Sequence, residues 1–123
     1  MPNPPSSCIT PQEGKTLCDQ WTNTRAQYIK NAEGYDDSCE FNMSVADLQA
    51  YLDYVVAEST AQGITNPGVR IYFAAYNQGN QPKATLVMAP TMSGDPGADN
   101  NYSIQPANRQ VGRIPPRAYN PGQ

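Results

Sequence analysis

The sequence predicts an α+β fold: two N-terminal helices packed on a small antiparallel sheet, with extended Pro-rich ends. Three features point to it. Gly68-Val69-Arg70-Ile71-Tyr72-Phe73-Ala74-Ala75-Tyr76 and Ala84-Thr85-Leu86-Val87-Met88-Ala89-Pro90 are apolar runs on either side of a polar turn, as in an antiparallel hairpin. Ser44 opens an apolar stretch that reads as a capped helix just before the hairpin. Thr10-Pro11-Gln12-Glu13 has the form of a capping box with proline in the first turn, and announces an earlier helix.

Along the chain, residues 1–9 are rich in Pro and Ser and are expected to form an extended arm. A single domain is expected over 10–104, followed by a Pro-rich extended tail over 105–123. The first helix is expected over about 11–32, capped by Thr10. Leu17, Trp21, Tyr28 and Thr24 recur at helical spacing as its apolar stripe, and Gly34 is its stop. Gly14 in its first turns weakens it by about 1 kcal/mol relative to alanine. An acidic link with Asp36, Asp37 and Glu40 follows.

The second helix, over 45–62, is expected to bury Val45, Leu48, Leu52, Val55 and Val56, with Tyr51 beside them, and to end at Gly63. In the first strand, alternation sends Val69, Ile71, Phe73 and Ala75 toward the helices and Arg70, Tyr72, Ala74 and Tyr76 the other way. Pro90 is expected to end the second strand. Tyr102-Ser103-Ile104 and Gln110-Val111-Gly112 are further short-strand candidates.

The order helix, Gly-Val-Arg-Ile-Tyr-Phe-Ala-Ala-Tyr, polar turn, Ala-Thr-Leu-Val-Met-Ala-Pro-Thr resembles a family of small bacterial proteins of uncharacterised activity. The resemblance covers about residues 45–95. It implies a helix-packed antiparallel sheet and no particular activity. This chain departs from that pattern at Ala89-Pro90-Thr91 and in its Pro-rich tail.

Composition narrows function mainly by exclusion. The chain of 123 residues has net charge −3. Residues 1–80 carry nine acidic and four basic side chains, while Lys83, Arg109, Arg113 and Arg117 make the remainder mildly basic. An acidic body with scattered arginines is not a phosphate-neutralising surface, so no nucleic-acid role is expected. No run is apolar or long enough for a membrane span. Met1-Pro2-Asn3-Pro4-Pro5-Ser6-Ser7 lacks the basic start and apolar stretch of an export signal, so a cytoplasmic location is expected.

There is no histidine, which removes Ser-His and Cys-His activation and imidazole metal sites. No catalytic residue, metal site or cofactor is assigned. Phosphate-binding glycine patterns are missing from the turns at Asn77–Asn80 and Ser93–Asn101. Cys8, Cys18 and Cys39 are odd in number and match no zinc spacing.

Two helices and a hairpin make a thin core, since a lone hairpin is marginal in water. A non-catalytic protein-interaction or structural assembly protein, bound to a protein partner or to itself, is therefore the leading expectation. Its candidate interface residues are Arg70, Tyr72 and Tyr76 on the outward sheet face, with Arg113, Arg117 and Tyr119 on the tail. The same face has a second reading, in which the C-terminal segment covers it through Tyr102, Ile104 and Val111. Two further readings stand behind these. One is a small-molecule or metal-binding domain using Cys18, Cys39 and the Asp95–Asp99 loop; the other is an enzyme built on carboxylates with Tyr or Arg.

Overall fold

A computed structural model describes residues 2–109 and 118–122. The fold is α+β. In chain order it comprises helices α1 (Pro11–Asn23), α2 (Arg25–Glu33) and α3 (Val45–Ala61), then strands β1 (Gly68–Ala75), β2 (Ala84–Thr91) and β3 (Ala107–Arg109). The sheet is antiparallel in the order β1-β2-β3. β3 begins three residues past position 104, inside the segment expected as tail.

The predicted capping box is present. Glu13 N–H donates to Thr10 Oγ1 at 3.1 Å, and Thr10 N–H donates to Glu13 Oε1 at 3.0 Å. These bonds hold the Glu13 carboxyl below its ordinary pKa.

The first helix is nevertheless not one piece. It breaks at Thr24, whose φ of −125° and ψ of −86° are not helical. The Thr22 and Thr24 hydroxyls donate back to the carbonyls of Cys18 and Gln20, and the Thr24 N–H turns to Trp21 O. Such back-bonding bends helices, and here it resets the axis. Leu17 and Tyr28 are consequently exposed, and the expected continuous stripe is not a buried one. Gly34, at φ 84°, closes α2 as expected.

In α3 the Ser44 hydroxyl accepts from Asp47 N–H at 3.0 Å, and Gly63 takes a left-handed φ of 78° just past the end. The buried face is narrower than predicted. Val55 and Ser59 are buried and Tyr51 and Leu52 half-buried, whereas Val45, Leu48 and Val56 are exposed. Tyr51 ties this face to the sheet, its hydroxyl lying 3.2 Å from Met88 O and 3.1 Å from Gln105 O. Burial and the neighbouring Tyr54 push the Tyr51 phenol above its ordinary pKa.

The register pairs Ile71 with Met88 and Phe73 with Leu86 on one face, and Arg70 with Ala89 and Tyr72 with Val87 on the other. The alternation is as predicted, but the face expected to be covered is not covered on β1. Ile71 shares its face with the buried Met88 yet is exposed, as is Phe73: α3 reaches the sheet at the central strand, through Tyr51. Pro90 does not end β2, which continues to Thr91. The Pro90 oxygen accepts from Asn101 N–H, so its backbone polar edge faces away from β1 and the missing N–H interrupts no β1–β2 bond. Tyr102-Ser103-Ile104 is a turn, not a strand, because the Asn101 carboxamide oxygen accepts from Ser103 N–H and Oγ.

Candidate interaction surface

Arg70, Tyr72 and Tyr76 lie together along the β1 side of the sheet, as the alternation requires. Each is engaged by the chain that follows β2. Arg70 Nη1 donates to Asn100 Oδ1 at 2.6 Å, and Nη2 donates to Pro96 O and Ala98 O, both at 2.8 Å. Asn100 Nδ2 donates to the Tyr72 hydroxyl at 2.8 Å. The Tyr76 hydroxyl donates to Asn108 Oδ1 at 2.9 Å, and Asn108 Nδ2 reaches Leu86 O at 3.0 Å.

The Asn100 donor, and after it Arg70, lower the Tyr72 pKa from its ordinary value by favouring the phenolate. The residues that hold this face are thus Asn100 and Asn108, which sequence reasoning did not single out. Ile104, one of the three expected covers, is buried at 2% exposure, but Tyr102 is 90% exposed. Val111 lies outside the described residues.

The opposite face of β1 carries two large, exposed apolar side chains. Phe73 is 91% exposed and Ile71 62% exposed, side by side at positions two apart on the edge strand. Among the described residues β1 pairs only with β2. β1 holds no proline and one charged residue, Arg70, which is turned to the other face and satisfied there.

The tail candidates divide. Arg113 and Arg117 lie outside the described residues. Tyr119 packs on α1, where a Cβ placed on Gly14 would come within 3.1 Å of its Cε1 atom.

Of the metal-ligand candidates, Cys18 and Cys39 lie within electrostatic range of each other. Cys8, Cys18 and Cys39 are unpaired, and among the described residues no three Cys, Asp or Glu side chains are grouped as a metal site. The Asp95–Asp99 loop is a hydrogen-bonded turn in which Ala98 N–H donates to Asp95 O and Met92 N–H to Asp99 O. Burial, and then Glu40, Cys18 and Asp37, push the Cys39 thiol above its ordinary pKa. That is the reverse of an activated nucleophile. Among the described residues, no helix is long and apolar enough to cross a membrane.

Comparison with protein-family models, with curated proteins and with solved structures finds no match for this chain.

Proposed function

We propose that this is a non-catalytic assembly protein that associates with a second copy of itself through the outer edge of β1. The exposed Ile71–Phe73 pair on an edge strand carries the reading. An edge strand with free backbone groups is a template for strand addition, and natural proteins usually blunt such edges with charge or proline. Among the described residues nothing pairs with the outer edge of the eight-residue β1.

A second copy suits it because antiparallel pairing of β1 with itself is two-fold symmetric and sets the same apolar pair against itself. No unpaired like charges meet, since the Arg70 guanidinium is held within its own subunit. The acidic residues of the first 80 positions all lie off β1. Each large apolar side chain removed from water contributes roughly 1.5–3 kcal/mol. On this reading Arg70 braces the strand from behind, while Tyr72 and Tyr76 flank the edge.

Sedimentation equilibrium of the full chain tests it. A dimer is expected, and Phe73→Asp should weaken it by at least about tenfold while leaving the circular dichroism spectrum intact. A protein that stays monomeric at high micromolar concentration would overturn the reading.

A further inference from the structure

Tyr102 is 90% exposed, yet it stands between two anchored residues. Asn101 is buried; its N–H donates to Pro90 O and its Nδ2 to Gln62 Oε1, both at 2.8 Å. Ile104, two positions past Tyr102, is buried as well. The Asn101 carboxamide oxygen holds Ser103 N–H and Oγ and so fixes the turn between them. A ring on so fixed a turn gains the fold nothing by facing water. Tyrosine there offers a partner rigid contact area at small entropic cost.

Beside Tyr102 runs a shallow groove of about 300 Å³, on the face of the sheet opposite Ile71 and Phe73. The half-buried Val87 and Ala89 form its floor, and the exposed Tyr72, Tyr102 and Pro106 its sides. Asn100 Nδ2 donates to the Tyr72 hydroxyl at 2.8 Å and to the Tyr102 hydroxyl at 3.3 Å. Both phenols accept from Asn100, and neither donates to a described residue, so each keeps its own O–H to give. The described side chains that line the groove are uncharged. Aromatic rings, an apolar floor and outward O–H donors suit a backbone rich in free carbonyls and poor in N–H groups. A proline-rich segment in the polyproline II conformation is such a backbone, since it has no internal hydrogen bonds.

The chain carries one at Pro2-Asn3-Pro4-Pro5. Proline fixes φ at about −65°, and the residue before a proline is pushed to the extended region, so all four residues favour polyproline II. Its three residues per turn set Pro2 and Pro5 on one side, the Pro-x-x-Pro spacing that aromatic grooves read. All four are exposed and belong to no helix or strand. The arm does not enter its own groove, whose described lining comes from residues 72 to 106. We propose that the groove of one copy receives the Pro2–Pro5 arm of a second copy, with the Tyr72 and Tyr102 rings against the prolines and their hydroxyls donating to the arm's carbonyls. The contact does not depend on pairing of the β1 edges.

The probe is an acetylated synthetic peptide of residues 2–7, titrated into the isotope-labelled full chain and read by NMR at the Asn100 side-chain amide and the amide of residue 102. Saturable shifts are expected, and a peptide carrying Pro2→Ala and Pro5→Ala should bind at least about tenfold more weakly. Tyr102→Ala in the full chain should weaken the parent peptide at least about tenfold while leaving the urea midpoint nearly unchanged, because the ring is exposed. In Phe73→Asp the peptide should bind as it does to the parent, so loss of the edge dimer and loss of this contact are read separately. Without peptide, the same signals should shift as the chain is concentrated and second copies fill the groove. The proposal is overturned by the absence of a saturable shift, by equal binding of the alanine peptide, by unchanged binding in Tyr102→Ala, or by signals that ignore the concentration of the chain.

Discussion

Arg70 on β1 and Asn100, beyond the end of β2, are joined at 2.6 Å, and the Asn100 amide hands the contact on to Tyr72 at 2.8 Å. This bond, with those from Arg70 to Pro96 O and Ala98 O, clamps the return loop against the sheet. The planar fork of arginine reaches three acceptors at once, which the single ammonium of lysine does not. Arg70→Lys is therefore expected to cost about 1–3 kcal/mol, because the half-buried Asn100 and Ala98 oxygens lose their donor. Urea denaturation measures it, and a variant as stable as the parent would show that the clamp is ornamental.

The same cluster gives a pH signature. The folded Tyr72 pKa lies below the ordinary value of 10.0, so the folded state binds the phenolate better than the unfolded chain does. That contribution is fully present above the unfolded pKa and is lost as pH falls through the lowered folded value. Tyr35 and Tyr51 have raised folded values and act the opposite way, losing their contribution as pH rises through those values. They are common to both proteins and cancel when the parent is compared with Tyr72→Phe. The stability difference should therefore grow in the parent's favour as pH rises toward 10, and a difference that stays flat across that window would remove the assignment.

Gly68 faces Thr91 across the ladder, and a Cβ on it would collide with Thr91 Oγ1 and sit 2.5 Å from Ser93 O. A backbone carbonyl cannot swing aside as a side chain can. Gly68→Ala should then be destabilising by about 1–3 kcal/mol through overpacking, even though alanine is otherwise the better strand residue. Thermal unfolding of the variant checks this; an unchanged midpoint would mean that the turn at Ser93 yields freely.

The three cysteines should differ in reactivity. Cys39 is held above its ordinary pKa by burial, Glu40, Cys18 and Asp37, so little of it is thiolate near neutrality. Iodoacetamide at mildly alkaline pH should modify Cys8 and Cys18 before Cys39, read by peptide mass spectrometry.

What the sequence made legible was local. Thr10 with Glu13, Ser44 with Asp47, and the stops at Gly34 and Gly63 each act within a turn of their own helix, and all are where the pattern put them. Strand alternation was legible as a period but not as coverage, because nothing in Ile71 or Phe73 states how far across the sheet a helix will reach. The break at Thr24 comes with hydroxyl back-bonding, which bends helices but does not announce from the sequence where one will end. The Arg70 clamp unites residues 26 to 30 positions apart, and only the folded chain brings them together.

Tyr119 illustrates the same point with a contact that can be dissected. Its ring lies on α1 over Gly14, a residue that costs the helix about 1 kcal/mol relative to alanine. A Cβ at position 14 would stand 3.1 Å from the ring, close enough to require a shift of a few tenths of an ångström. Gly14→Ala alone should therefore recover only part of the helix propensity, since displacing the ring offsets the rest. In a Tyr119→Ala background the same substitution should recover all of it. The coupling between the two positions, measured as a double-mutant cycle in urea, is expected to be unfavourable by a few tenths to about 1 kcal/mol. Strict additivity would mean that Tyr119 does not rest on the helix in solution.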